Sequence, residues 1–151
     1  MQKITPFLWF DGRAEEAINF YTSVFNNSSI TSLNRGPDGE VFIGSFQIEG
    51  QDFMALNGGP MFKFTAAISL FVNCESQEEV DRLWAALTDG GREDPCGWLE
   101  DKFGIAWQII PKQLMDLMND PDPEKSGRVH EAMFKMTKII IADLEAAHQG
   151  E

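Results

Sequence analysis

The chain has 151 residues, 43% of them apolar, enough for one domain with a sizeable core. Its formal net charge of −12 argues against nucleic acid and anionic membrane as partners, because both need a basic face. No apolar run approaches a membrane span, and Met1 to Pro6 lack the long apolar core of a secretory signal. Cys74 and Cys96 have neither CxxC nor metal-ligand spacing, so free thiols and a reducing, cytoplasmic setting are expected.

Ile4 to Phe10 is a short apolar run of strand formers, with Pro6 near its start and Asp11-Gly12 closing it. The spacing of Ala17, Phe20, Tyr21, Val24 and Phe25 predicts a helix, with Glu15 and Glu16 favoured in its first turn. Three strands follow in hairpin succession: Ile30 to Arg35, Val41 to Glu49, and Phe53 to Leu56. Gly36-Pro37-Asp38-Gly39 and Gly50-Gln51-Asp52 supply the turns. Asn57-Gly58-Gly59-Pro60 marks a junction, and the pattern then restarts. Ala67 to Val72 reads as a strand. Ser76-Gln77-Glu78-Glu79 is a capping box ahead of a helical stripe of Val80, Leu83, Trp84 and Leu87. Asp89-Gly90-Gly91 stops that helix, and a hairpin spans Trp98 to Ile110 with its turn at Gly104.

The two passages overlay. Leu8-Trp9-Phe10-Asp11 falls on Leu70-Phe71-Val72-Asn73, and with one extra loop residue Ala17, Phe20, Tyr21 and Val24 fall on Val80, Leu83, Trp84 and Leu87. The expected fold is α+β: two tandem βαβββ modules forming a half-closed mixed sheet, followed by C-terminal helices. One domain fills residues 1–151, with module one about 1–57, module two about 66–111 and a helical segment about 112–149. Each helix covers one sheet face, and the concave face is left for a small molecule. Trp9, Phe46, Phe103 and Trp107 are the candidate inward residues.

After Pro111 a short helix is expected around Leu114, Leu117 and Met118, then a break at Asp120-Pro121-Asp122-Pro123. Val129, Ala132, Met133, Met136, Ile140 and Leu144 continue at helical steps. The run Ile139-Ile140-Ile141 must cover either its own sheet or a partner subunit, and a homodimer is the favoured expectation. His130 and His148 have no second ligand at metal spacing and read as structural or solvated.

Residues 96–111, CGWLEDKFGIAWQIIP, resemble the signature hairpin of the PhnB-like family, which carries the label 3-demethylubiquinone-9 3-methyltransferase. Ile4 to Phe25, Met54 to Phe64 and Lys125 to Ile139 resemble it too. The family lies within the glyoxalase / bleomycin-resistance / dioxygenase superfamily, also called vicinal oxygen chelate proteins. The resemblance implies paired βαβββ modules and commonly a homodimer. It also implies a divalent metal held by His, Glu or Gln from each module's first and last strands. Here those places fall near Pro6, at Leu56 or Asn57, near Ala67 to Ser69, and at Gln108. They offer neither imidazole nor carboxylate, so no cofactor is expected, and metal chemistry is the alternative. The methyltransferase label meets a physical objection: only Asp11-Gly12-Arg13 follows the first strand, where a glycine-rich nucleotide turn is needed.

The candidate ligand-binding residues are Trp9, Phe46, Asn57, Trp98, Asp101, Phe103, Trp107 and Gln108. Gln108 is a polar residue in an apolar strand, which suits a pocket floor. Trp98 and Trp107 bracket the hairpin, either stacking on a ligand or packing in the core. Asp101 and Lys102 are a hairpin tip or a contact. Asn57 shapes a pocket rim or a plain turn. Cys96 has no neighbouring His to activate it and reads as an inert thiol. The expected function is a metal-free small-molecule-binding protein. The alternatives are a metal-dependent glyoxalase- or lyase-like enzyme and a purely structural role.

Overall fold

The computed structural model describes residues 2–151. The chain divides into two compact units between Phe64 and Thr65. Each unit holds a four-stranded mixed sheet, and the expected single half-closed sheet is realised as these two separately hydrogen-bonded sheets.

In the first unit β1 (Phe7–Phe10) is followed by α1 (Ala14–Val24), β2 (Ser29–Arg35), β3 (Val41–Ile48) and β4 (Gln51–Asn57). The sheet order is β1-β4-β3-β2, with β1 parallel to β4 and the other pairs antiparallel. β1 begins at Phe7 rather than Ile4, after Pro6, whose carbonyl accepts from Met54 N–H. Glu49 and Gly50 both have positive φ, the two-residue geometry that matches strand twist, so the β3–β4 turn ends two residues earlier than the sequence suggests. The buried face of α1 is Ala14, Ala17, Ile18 and Tyr21, so the apolar stripe turns toward Ile18 and leaves Phe20 and Val24 half-buried. Ile18 lies over Gly44, where any Cβ would collide with its Cδ1 methyl.

The second unit repeats the plan with β5 (Ser69–Cys74), α2 (Gln77–Thr88), β6 (Arg92–Glu93), β7 (Trp98–Glu100) and β8 (Ala106–Pro111), in the order β5-β8-β7-β6. β5 starts two residues later than expected. The two-residue β6 was not visible in the sequence, since Arg92-Glu93 has no apolar alternation to announce it. Ser76 caps α2, its Oγ accepting from Glu79 N–H at 3.2 Å. The Glu79 carboxylate reaches back to Glu75 N–H. Val80, Leu83, Trp84 and Leu87 are buried, as their spacing predicts.

The tail forms three helices rather than two, α3 (Lys112–Met118), α4 (Pro123–Phe134) and α5 (Ile141–Gln149). The long periodic stretch breaks at 135–140. There Met136 and Thr137 give their carbonyls to Cys96 and Gly97 N–H, and Ile139 enters a core with Ile110, Leu114, Val129 and Leu144. Of the two alternatives for the isoleucine run, Ile139 covers its own unit. No helix among the described residues is long and apolar enough to cross a membrane.

Candidate functional site

Strand alternation sorts each sheet into a face under its module's helix, α1 or α2, and an opposite face. In the second unit Cys74, Leu99 and Ile109 are fully buried on the α2 side, and Trp107 shares that side by register with Leu99. Burial pushes the Cys74 thiol up to about 12, with the nearby Glu79 carboxylate adding to the shift, so this thiol is inert. The opposite side carries Ser69 and Phe71 from β5, Gln108 from β8 and Trp98 from β7. Phe71 pairs with Gln108, and Gln108 pairs with Trp98, so the three form one row across the sheet. Trp98 and Gln108 are half-buried, and Phe71 is 45% exposed. Gln108 Nε2 donates to Ser69 Oγ at 3.0 Å.

The first unit has the matching row. Trp9 pairs with Leu56, and Leu56 with Ile43, all half-buried. Trp9 stands edge-on to Phe62 at 5.0 Å between ring centroids and donates its indole N–H to the Gly59 carbonyl. By register Leu56, not Asn57, is the counterpart of Gln108.

The other sequence candidates sit elsewhere. Phe46 is 1% exposed and stacks on Phe53 in the core of its unit. Asn57 ties α1 to the sheet: its Oδ1 accepts from Ala14 N–H and its Nδ2 donates to the Val41 carbonyl, both at 2.9 Å. Arg13, the residue before the helix, provides no side-chain cap, so Asn57 does so from across the chain. Asp101 is 2% exposed, and its carboxylate accepts from Phe103 N–H, Ile105 N–H and Trp107 Nε1–H at 2.9, 3.0 and 2.9 Å. It therefore organises the hairpin turn and fixes the buried Trp107. Phe103 is half-buried in that turn, with Lys102 Nζ 5.5 Å from its ring centroid. Cys96 holds a positive φ, and its backbone N–H donates to the Met136 carbonyl. His130 Nδ1 meets the Ser126 carbonyl and His148 Nε2 meets Asp120 Oδ2 at 2.7 Å. Of the eight candidates, the structure puts Trp98 and Gln108 side by side, Asp101 and Phe103 in one turn, and the Trp107 indole on Asp101 from β8. Phe71 was missed, although the overlay that places it on Trp9 carried the signal.

A divalent metal of the kind the resemblance implies needs imidazole or carboxylate donors. The register puts Phe7 and Leu56 in the first unit, and Ser69 and Gln108 in the second, at corresponding places. Two of these have no donor atom, and the other two are bonded to each other. Among the described residues no three of His, Cys, Asp and Glu gather to hold a metal ion. The residues present do not fit that group.

A family model described as 3-demethylubiquinone-9 3-methyltransferase matches residues 2–110. The chain is similar to a PhnB protein from Bacillus cereus, at 40% identity over 73% of this chain and 99% of that one, with a TM-score of 0.68. Protein PA1353 from Pseudomonas aeruginosa shares the fold at 21% identity over 74% and 98% of the two chains, TM-score 0.60. So does the fosfomycin resistance protein FosX from Listeria monocytogenes, solved with Mn(II) and sulfate, at 16% identity over 71% and 90%, TM-score 0.53. No curated protein matches the chain.

Proposed function

The chain belongs to the 3-demethylubiquinone-9 3-methyltransferase (PhnB-like) family of the glyoxalase / bleomycin-resistance / dioxygenase superfamily, and we propose that it binds a small, partly apolar molecule without a resident metal. The observation that carries this reading is the sheet face opposite α1 in the first unit and opposite α2 in the second. Its aromatic and amide side chains stay half-exposed, while the family's ligand places hold Phe7, Leu56, Ser69 and Gln108. Aromatic side chains left open to solvent beside a polar anchor are the makings of a ligand contact. The methyltransferase label is not part of this reading: only Asp11-Gly12-Arg13 follows β1, where a glycine-rich turn ahead of the helix would be needed. A homodimer is part of the same reading, and analytical ultracentrifugation checks it.

A second reading, a metal-dependent enzyme on a vicinal-oxygen substrate, draws on the fold shared with FosX and on Gln108 Oε1 as its one donor. One experiment separates the two. Native mass spectrometry and metal analysis are run on the purified protein, alongside a thermal-shift screen of a diverse small-molecule library. Metal-free protein with library hits is expected. Stoichiometric divalent metal that disappears in Gln108→Ala would overturn the proposal in favour of the enzyme. A library with no hits would overturn binding altogether.

A further inference from the structure

Asn57-Gly58 joins two residues that the fold needs separately. Asn57 ties α1 to the sheet, its Oδ1 accepting from Ala14 N–H and its Nδ2 donating to the Val41 carbonyl, both at 2.9 Å. Gly58 lies so close to Trp9 that a Cβ there would collide with the indole ring. Side by side they make the sequence in which an asparagine amide is most readily lost, because glycine has no side chain to hinder ring closure on the residue before it. The nucleophile in that reaction is the Gly58 backbone nitrogen. In the native chain its N–H donates to the Phe10 carbonyl at 2.9 Å, continuing the parallel ladder in which Phe10 pairs with Asn57.

We propose that Asn57-Gly58 is a latent site of spontaneous deamidation, held silent by the pairing of β1 with β4 and released when that pairing opens. Once released, Gly58 N gives its proton to solvent base, and its electron pair attacks Asn57 Cγ. The Cγ–Nδ2 bond breaks, ammonia leaves and a cyclic imide remains. Water then opens the imide at either carbonyl, leaving aspartate or isoaspartate at position 57. One water enters, one ammonia departs, and nothing is oxidised or reduced. The native bonds oppose the first step: Phe10 holds the nucleophile, while Ala14 and Val41 fix the amide it must reach. Asn57 also ends strand β4 in extended backbone, whereas closure needs Gly58 N and Cγ rotated onto one side of the Cα–C bond. Exclusion of water is not the protection, since Gly58 is exposed and Asn57 only half-buried. The change is not undone by refolding. Either product lacks Nδ2, so the Val41 carbonyl loses its donor, and isoaspartate adds a methylene to the main chain where β4 meets β1.

The test incubates the full chain in mildly alkaline buffer, with and without urea, and follows each asparagine by peptide mapping with mass spectrometry. The exposed Asn27, followed by Ser28, is the comparator within the same chain. In urea Asn57 is expected to deamidate faster than any other asparagine. In the native protein it is expected to slow by at least about a hundredfold, and Asn27 by far less. Amide hydrogen exchange supplies an independent readout, because the Gly58 N–H must leave Phe10 before its nitrogen can react. The slowing at Asn57 should therefore be at least as large as the protection of Gly58 N–H. Trp9→Ala removes the indole bond to the Gly59 carbonyl and the ring contact with Phe62. It should speed native deamidation at Asn57 by at least about threefold and leave the rate in urea unchanged. Circular dichroism confirms that this variant is folded, and if it is not, the exchange comparison on the wild type still decides. A slowing smaller than about a hundredfold, or smaller than the protection of Gly58, overturns the proposal. So does a folded Trp9→Ala whose native rate equals that of the wild type, and so does an Asn57 that stays intact in urea.

Discussion

Replacing Asp101 with Asn removes one charge and almost no volume, yet it should be among the most damaging conservative changes in the second unit. The carboxylate is 2% exposed and meets three donors: two backbone N–H groups on Oδ1 and the Trp107 indole on Oδ2. Both oxygens must accept. An amide presents one N–H₂ group, and whichever way it turns, that group faces a donor. The substitution therefore loses at least one charge-assisted bond and leaves a buried donor unpaired, for about 2–4 kcal/mol. With a urea dependence of about 1–3 kcal/mol per molar, the unfolding midpoint should fall by about 1 M or more. The assay is urea unfolding followed by far-UV circular dichroism, on the wild type, Asp101→Asn, Trp107→Phe and the double variant. Removing the indole donor relieves the mismatch, so the double variant should be more stable than the sum of the single losses predicts, by about 1 kcal/mol or more. Asp101→Asn within about 0.5 kcal/mol of wild type, or strict additivity, would refute this account of the turn.

Asn57→Ala leaves Ala14 N–H and the Val41 carbonyl without their side-chain partner and should cost about 2–4 kcal/mol in the same assay. Gly91→Ala should destabilise more sharply than an ordinary helix-end substitution, because its Cβ would overlap the Glu100 carbonyl and crowd Asp101; thermal melts read this directly. Cys74 should resist iodoacetamide in the folded protein at pH 8 and react in urea, as peptide mapping would record, since burial holds its thiol near 12. By linkage, that thiol's contribution to stability is complete below its unfolded value near 9 and is lost as pH climbs from there toward 12. Asp120 is held below the usual carboxylate range by Asp122 N–H and then by His148. Its contribution is present above the ordinary carboxylate value and lost as pH falls through the depressed one, so Asp120→Asn should flatten the acid limb of a pH-dependent melting curve.

Much of the architecture was legible in the residues. The capping box at Ser76 and the stripe from Val80 to Leu87 needed only local rules, and Ser76 and the four apolar residues sit where those rules place them. The overlay of Leu8-Trp9-Phe10 on Leu70-Phe71-Val72 anticipated two modules of the same plan, which take the same strand order in two separate sheets. What stayed hidden depends on pairing across the chain. Arg92-Glu93 becomes a strand only because Trp98 to Glu100 lies beside it. Phe46 and Trp107 read as inward residues because aromatic character does not reveal which face of a sheet a residue occupies. The stretch beyond Pro123 looked like a single helix because periodicity continues through 135–140, whereas the carbonyls of Met136 and Thr137 go to Cys96 and Gly97. In the candidate site Gln108 stood out as polar among apolar neighbours, but its tie to Ser69 is a cross-strand fact.

The parallel pairing of β1 with β4 and of β5 with β8 also bears on synthesis. Within each unit the antiparallel hairpins join strands that are near neighbours in sequence, so they close cheaply and early. The first strand of each unit must wait for the last. Phe7 meets Met54, and Ser69 meets Ala106, across an intervening helix and hairpin that must first be synthesised. During synthesis Phe7-Leu8-Trp9-Phe10 therefore emerges as an unpaired apolar strand and stays so until Asn57 has been made. In each half of the molecule the first strand made has its partner in the last one made.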